Sequence, residues 1–242
     1  KELLENSIDA NSKNLHIFIK KSGLELIEIT DDGIGIPPEN LINICERYST
    51  TKANNYEKDI KSLKTLGYRG EALSILSYNS NLKIQSLYKE NTLNTLNNLN
   101  NFGYEVNYRD GLIYFPDKNK QKTFMDIYNN NNNNNNKNFE LIKFLEISNC
   151  PVGTCISVEQ LFYKNDTRRK SFDISFEQKE IINLVAKFVL HFDEIDFTLA
   201  INTQFNKQIN SKSIKSLLNN NDNNNNISNW LSQEEKKENL FL

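Results

Sequence analysis

The sequence predicts an α+β sandwich, a mixed β-sheet with helices on one face, and three features carry that prediction. Leu15–Lys20 and Leu24–Thr30 are strand-like runs joined by Ser22-Gly23, which reads as a hairpin. Phe176–Phe192 repeats Ile181, Ile182, Val185, Phe188 and Val189 at helical spacing. Further strand-like runs at Leu82–Leu87, Cys155–Val158 and Asp196–Ile201 interleave with helical stretches along the chain.

Taken in order, residues 1–11 read as a helix. Leu4 and Ile8 share one face, and Glu2, Asn6 and Asp9 share another. The hairpin follows. Pro37-Pro38-Glu39 opens a helix over about 38–47, because proline is tolerated in a first turn. Residues 49–69 are polar and glycine-punctuated and read as a long loop, of the kind that usually has a function. Gly70–Tyr78 returns to helix and Leu82–Leu87 to strand. Residues 89–150 read as a low-complexity interval containing the unbroken asparagine run Asn129–Asn136, which offers nothing to bury. The expected domain therefore spans 1–205 with an insert at about 89–150. Residues 206–242, asparagine-rich with one helical stretch near Ile214–Leu218, are expected to be a linker or the start of a second α/β subdomain.

Hydrophobic residues make up 38% of the 242-residue chain, enough for a core. The net charge of −2 makes any contact with nucleic acid a matter of a local patch. Cys45, Cys150 and Cys155 form no C-x-x-C pair, and His16 and His191 are the only histidines, so a zinc site is poorly supported. An odd, sparse cysteine count fits a reducing compartment. No apolar run approaches the length of a membrane span. The chain starts at Lys1 without a methionine and reads as a fragment.

Several short motifs can carry chemistry. Glu2 and Asn6 lie one turn apart on one helix face. A carboxylate there can deprotonate a water for attack on a γ-phosphate, and the asparagine oxygen can ligate magnesium. Asp31 ends a strand ahead of Gly33 and Gly35. It can accept a hydrogen bond from an adenine amino group while the glycines let backbone approach the base. Thr50, Thr51 and Lys52 offer hydroxyls and a cation for phosphate. Gly67, Tyr68, Arg69 and Gly70 precede a helix, where backbone N–H groups bind anions and a Gly-x-x-Gly segment can hinge as a lid. Thr154 can touch the adenine side of such a pocket. Arg168, Arg169 and Lys170 form the densest basic cluster and suit phosphate-backbone contact. Taken singly, most of these have a plainer explanation: a solvated helix face, an acidic turn, a capped surface loop, a charge run. There is no G-x-x-x-x-G-K-[ST], which excludes a P-loop NTPase.

In series the motifs are specific. Lys1-Glu2-Leu3 through Asp9-Ala10, Asp31-x-Gly33-x-Gly35, Thr50-Thr51-Lys52, Leu66–Leu73 and Gly153-Thr154 through Phe162-Tyr163 resemble the MutL family of DNA mismatch repair ATPases, within the gyrase–Hsp90–histidine kinase–MutL (GHKL) group. The resemblance covers residues 1–88 and 151–203. Gly23–Ile27, Cys45–Thr50 and Val158–Tyr163 followed by Thr167–Lys170 look most like the first eukaryotic MutL homologue, the common subunit of MutL heterodimers.

The resemblance implies a GHKL (Bergerat) sandwich that binds ATP and magnesium. Glu2 would be the general base, Asn6 the metal ligand and Asp31 the adenine-specificity carboxylate. The nucleotide and its lid would be lined by Gly33, Gly35, Thr50, Thr51, Lys52, Gly67, Tyr68, Arg69, Gly70 and Thr154. It further implies slow hydrolysis that drives N-terminal dimerisation as a clamp on DNA, a second MutL homologue and a MutS-type mismatch sensor as partners, no membrane, and a nuclear location. The piece alone is expected to turn over weakly or not at all. The alternative is a non-catalytic ATP-binding scaffold or sensor of a repair complex. Two departures stand out: Asp32, where the family usually has asparagine, sets two carboxylates side by side near the adenine pocket, and Lys164-Asn165-Asp166 replaces the usual N-T-P.

Overall fold

The computed structural model describes residues 1–46, 70–89, 102–130, 140–148, 150–202 and 208–210. The long loop at 49–69 and the tail beyond 210 lie outside the described residues. In chain order the elements are α1 (Glu2–Asp9), β1 (Asn14–Lys20), a 3₁₀ turn (Lys21–Gly23), β2 (Leu26–Asp31), α2 (Pro38–Leu41), α3 (Ala72–Asn79) and β3 (Asn81–Leu87). There follow β4 (Gly103–Arg109), β5 (Leu112–Ile113), α4 (Lys118–Asn130), β6 (Glu146–Ile147), β7 (Gly153–Glu159), α5 (Asp166–Lys170), α6 (Ile174–His191), β8 (Asp196–Ile201) and β9 (Gln208–Asn210).

All the strands join one sheet in the order β5-β4-β3-β7-β2-β1-β8-β9, with β6 also pairing β4. Every pairing is antiparallel except β1 with β8, so the sheet is mixed. Period-2 alternation sets its two faces. Val106, Ile84, Ile156, Ile29, Ile17 and Leu199 are register partners across the sheet and are all buried. The residues between them, such as Glu105, Gln85, Thr30 and His16, are polar and face away. The helices cover the apolar face. The amphipathic α6 buries Ile182, Val185, Ala186, Phe188 and Val189, and its start is capped by the Asp173 carboxylate, which accepts from Phe176 N at 3.0 Å. Each such fully buried aliphatic side chain stabilises the fold by about 1.5–3 kcal/mol. Among the described residues no helix is long and apolar enough to cross a membrane.

The interval expected to be a low-complexity insert, about 89–150, differs from expectation. β4 lies within it, and Tyr104, Val106 and Tyr108 face the core in register with β3. Asparagine-rich flanks hide a good strand, Gly103-Tyr-Glu-Val-Asn-Tyr-Arg109, from a compositional reading. α4 and the helical residues 140–144 lie on either side of the asparagine run. Phe124, Leu141 and Leu145 are buried, and Phe115, Phe124 and Phe144 cluster with ring centroids 5.2–6.0 Å apart. The helix predicted for 38–47 is short, since α2 ends at Leu41 and turns follow.

Candidate functional site

One end of the apolar face is polar. The register row Tyr104–Ser86–Thr154–Asp31–Leu15–Phe197 crosses β4, β3, β7, β2, β1 and β8. Its middle holds a carboxylate and two hydroxyls where neighbouring rows hold isoleucine. Asp31 is 7% exposed, Thr154 7% and Ser86 0%. A buried carboxylate needs hydrogen-bond donors, and Asp31 has them. Ser7 of α1 donates to its Oδ2 at 2.8 Å and Gly33 N donates to its Oδ1 at 2.9 Å. Burial pushes the Asp31 carboxyl above the usual range. The N–H of Gly33, the Ser7 hydroxyl and the Thr154 backbone N–H pull against that rise, and the Asp32 charge adds slightly to it.

The glycines hold the surrounding loops in close contact. Gly35 has φ +79°, and a Cβ there would lie 2.3 Å from the Leu87 carbonyl oxygen. Gly153 has φ +107°, and its Cβ would lie 2.0 Å from the Asp31 carbonyl oxygen. Both positions therefore demand glycine for chain packing as well as for any ligand. The same loop is stitched on two sides: Ile34 N donates to Ala10 O at 2.9 Å and Lys89 N donates to Ile34 O at 2.9 Å.

Adjacent carboxylates Asp31 and Asp32 do not share partners. Strand alternation turns Asp32 away, and it accepts from Lys13 N at 2.7 Å, Asn14 N at 2.9 Å and the Asn14 side-chain amide at 2.7 Å. Burial raises its carboxyl, but the Asn14 and Lys13 donors outweigh this and hold it below the usual range. Asp32 thus locks the β2 end to the α1–β1 connection.

Of the helix residues, Glu2 is exposed and Asn6 half-buried on α1, whose position over the β2 end is fixed by the Ser7–Asp31 hydrogen bond. The buried acid of this helix is Glu5, which pairs with Lys1 at 2.7 Å. Gly70 has φ +63° just ahead of α3. Thr50, Thr51, Lys52, Gly67, Tyr68 and Arg69 lie outside the described residues.

The basic cluster is not part of this row. β7 carries the chain from Thr154 to the far end of the sheet, and α5 follows there. Arg168 sits over the Phe162 ring, 3.9 Å from its centroid, and Arg169 Nη1 donates to Leu161 O at 2.7 Å. Lys170 is exposed. In the substituted Lys164-Asn165-Asp166 segment, Asn165 caps α5 by accepting from Arg168 N at 2.9 Å, and Lys164 pairs with Asp110. Sequence reasoning missed Ser7 and Ser86. Ser86 carries a visible signal, a polar residue at the third core-facing position of β3 after Leu82 and Ile84.

Residues 1–114 match the family model described as histidine kinase-, DNA gyrase B-, and HSP90-like ATPase. The DNA mismatch repair protein MutL of Thermodesulfovibrio yellowstonii is 30% identical over 221 residues, covering 90% of this chain and 32% of that protein. MutL of a Clostridium botulinum strain is 33% identical, covering 82% of this chain and 24% of its own length. The DNA mismatch repair protein MLH1 of Saccharomyces cerevisiae is 29% identical, with 82% and 21% covered. The chain therefore spans about a third or less of the length of these relatives. Two solved structures show the same fold: the Aquifex aeolicus MutL ATPase domain complexed with ADP (22% identity, TM-score 0.53, 89% of this chain and 63% of that one) and the N-terminal domain of a DNA repair protein (24%, TM-score 0.55, 86% and 50%).

Proposed function

From the premise that this chain carries a MutL-family GHKL ATPase domain, we propose that it serves a DNA mismatch repair protein that binds and slowly hydrolyses ATP. The observation that carries the proposal is the buried Asp31, tied to α1 through Ser7 and flanked by Thr154. An ionised carboxylate at the base of a pocket suits the amino group of adenine. α1 then presents Asn6 and Glu2 toward the phosphate side. The Asn6 carboxamide oxygen fits the oxygen-donor preference of magnesium, which would neutralise phosphate charge when bound. Glu2, exposed and therefore able to meet water, would accept a proton as that water's oxygen bonds to the γ-phosphorus and the bond to the β–γ bridging oxygen breaks. Gly33, Gly35, Thr50, Thr51, Lys52, Gly67, Tyr68, Arg69, Gly70 and Thr154 would line the nucleotide and its lid.

The wider assignment follows from the same premise. ATP binding would dimerise the N-terminal regions as a clamp on DNA, and hydrolysis would reset it. The partners would be a second MutL homologue and a MutS-type mismatch sensor. The subfamily would be that of the first eukaryotic homologue, acting in the nucleus. Arg168 and Lys170, exposed at the far end of the sheet, would touch the phosphate backbone.

Two variants of the full-length protein test the core of this. Glu2→Ala should keep nucleotide binding in calorimetry and lose phosphate release, whereas Asn6→Ala should weaken magnesium-ATP binding itself. Wild-type turnover by Glu2→Ala would sink the assignment of the base. For the DNA contact, the double change Arg168→Ala and Lys170→Ala should lower affinity and flatten its salt dependence.

A further inference from the structure

The row that holds Asp31 has a defined hydrogen-bond polarity, and Ser86 sets it. The Ser86 hydroxyl is fully buried and meets three groups. Ile36 N donates to it at 2.8 Å, Gly153 O lies at 2.9 Å and Thr154 Oγ1 at 3.2 Å. A carbonyl oxygen only accepts, so the single Ser86 proton goes to Gly153 O. The Ile36 N–H fills one of the Ser86 lone pairs. The Thr154 contact is then a hydrogen bond only if Thr154 donates into the other. This leaves Thr154 Oγ1 with lone pairs and no proton to offer. Thr154 is the register partner of Asp31 on the adjacent strand, which puts the two about 5 Å apart on the same face. Both therefore present acceptors.

We infer that Ser86 is a positioning residue for nucleotide specificity: by taking the Thr154 proton, it makes the base-recognition row acceptor-only, matched to the exocyclic amino group of adenine and mismatched to the 6-keto oxygen of guanine. The inference rests on the adenine role proposed for Asp31. Without the Ser86 hydroxyl, Thr154 turns its proton into the pocket and can donate to a keto oxygen, so the discrimination falls.

The test is the ratio of ATP to GTP dissociation constants, measured by calorimetry with magnesium on the full-length protein. Ser86→Ala should cut the preference for ATP about tenfold, the worth of one buried hydrogen bond. Ser86→Thr, which keeps the hydroxyl, should retain the preference. Ser86→Cys, which keeps the volume and weakens the hydrogen bonds, should fall between them if Ser86→Ala folds poorly. Combined with Thr154→Val, Ser86→Ala should add no further loss, because both act on one hydroxyl. A merely structural role predicts equal weakening of both nucleotides. An unchanged ratio in Ser86→Ala and Ser86→Cys, or independent losses in the double variant, overturns the inference while leaving the adenine site standing. A wild-type protein without ATP preference, or Asp31→Asn with the wild-type ratio, overturns the adenine site itself.

Discussion

The two ends of this sheet handle polar groups in opposite ways. At the Asp31 end the polar side chains are buried, and their partners are backbone amides and hydroxyls from α1, β3 and β7. At the far end, Arg109, Asp110, Tyr163 and Lys164 form a half-exposed network: Tyr163 donates to Asp110 at 2.8 Å, and Arg109 lies 4.8 Å from the Tyr163 ring centroid. Lys164 and Tyr163 hold the Asp110 carboxyl below its usual range. Exposed charges pair cheaply with each other or with water, so the far end tolerates substitution. Buried ones have no substitute for a lost partner, so the Asp31 end is geometrically strict.

Substitutions at each end sharpen this contrast. Gly153→Ala should be the most damaging, because it combines a left-handed φ with a Cβ against the Asp31 carbonyl. A loss of about 3–5 kcal/mol in denaturant unfolding is expected. Next comes Asp32→Ala, which removes the acceptor of Lys13 and Asn14; these donors reach water, so the loss should be about 1 kcal/mol.

The pH dependence of stability should separate the adjacent carboxylates. The folded-state pKa of Asp32 is depressed, so its stabilisation is present above the unfolded pKa and lost as pH falls through the folded one. The pKa of Asp31 is raised, so its charged form costs stability at neutral pH. Relative to its difference from wild type at low pH, Asp31→Asn should therefore gain stability above the folded pKa. That gain should shrink as pH falls through the folded pKa and vanish below the unfolded pKa. A gain that is flat with pH would contradict the assigned shift. The smallest effect belongs to Lys164→Ala, whose unfolding midpoint should match wild type in moderate salt.

How much of this was legible in the sequence depends on the type of signal. Elements with their own periodicity, such as α6 and the β1–β2 hairpin, read directly because packing and local pattern agree. β4 did not, because asparagine-rich flanks diluted a pattern carried by Tyr104, Val106 and Tyr108. Asp31 and the glycines around it were recognisable as motif residues, but the direction of Asp32 follows from the strand's alternation and the amides of Asn14, which no composition reveals. Ser86 acquires meaning only when β3 and β7 pair. Its partners, Gly153 and Thr154, lie about 67 residues away along the chain.

The location of the asparagine run bears on inheritance. Homopolymer tracts lengthen and shorten by slippage during copying, and most positions in a folded domain could not absorb such drift. Here the tract leaves from α4 and the chain returns through residues 140–144 to β6, which pairs with β4. β3 and β7 separate β4 from the β2 strand that bears Asp31. Doubling the length of such a connection adds only about 0.6 kcal/mol of closure cost. Proteins that differ in the length of this tract should therefore unfold within about 1 kcal/mol of one another.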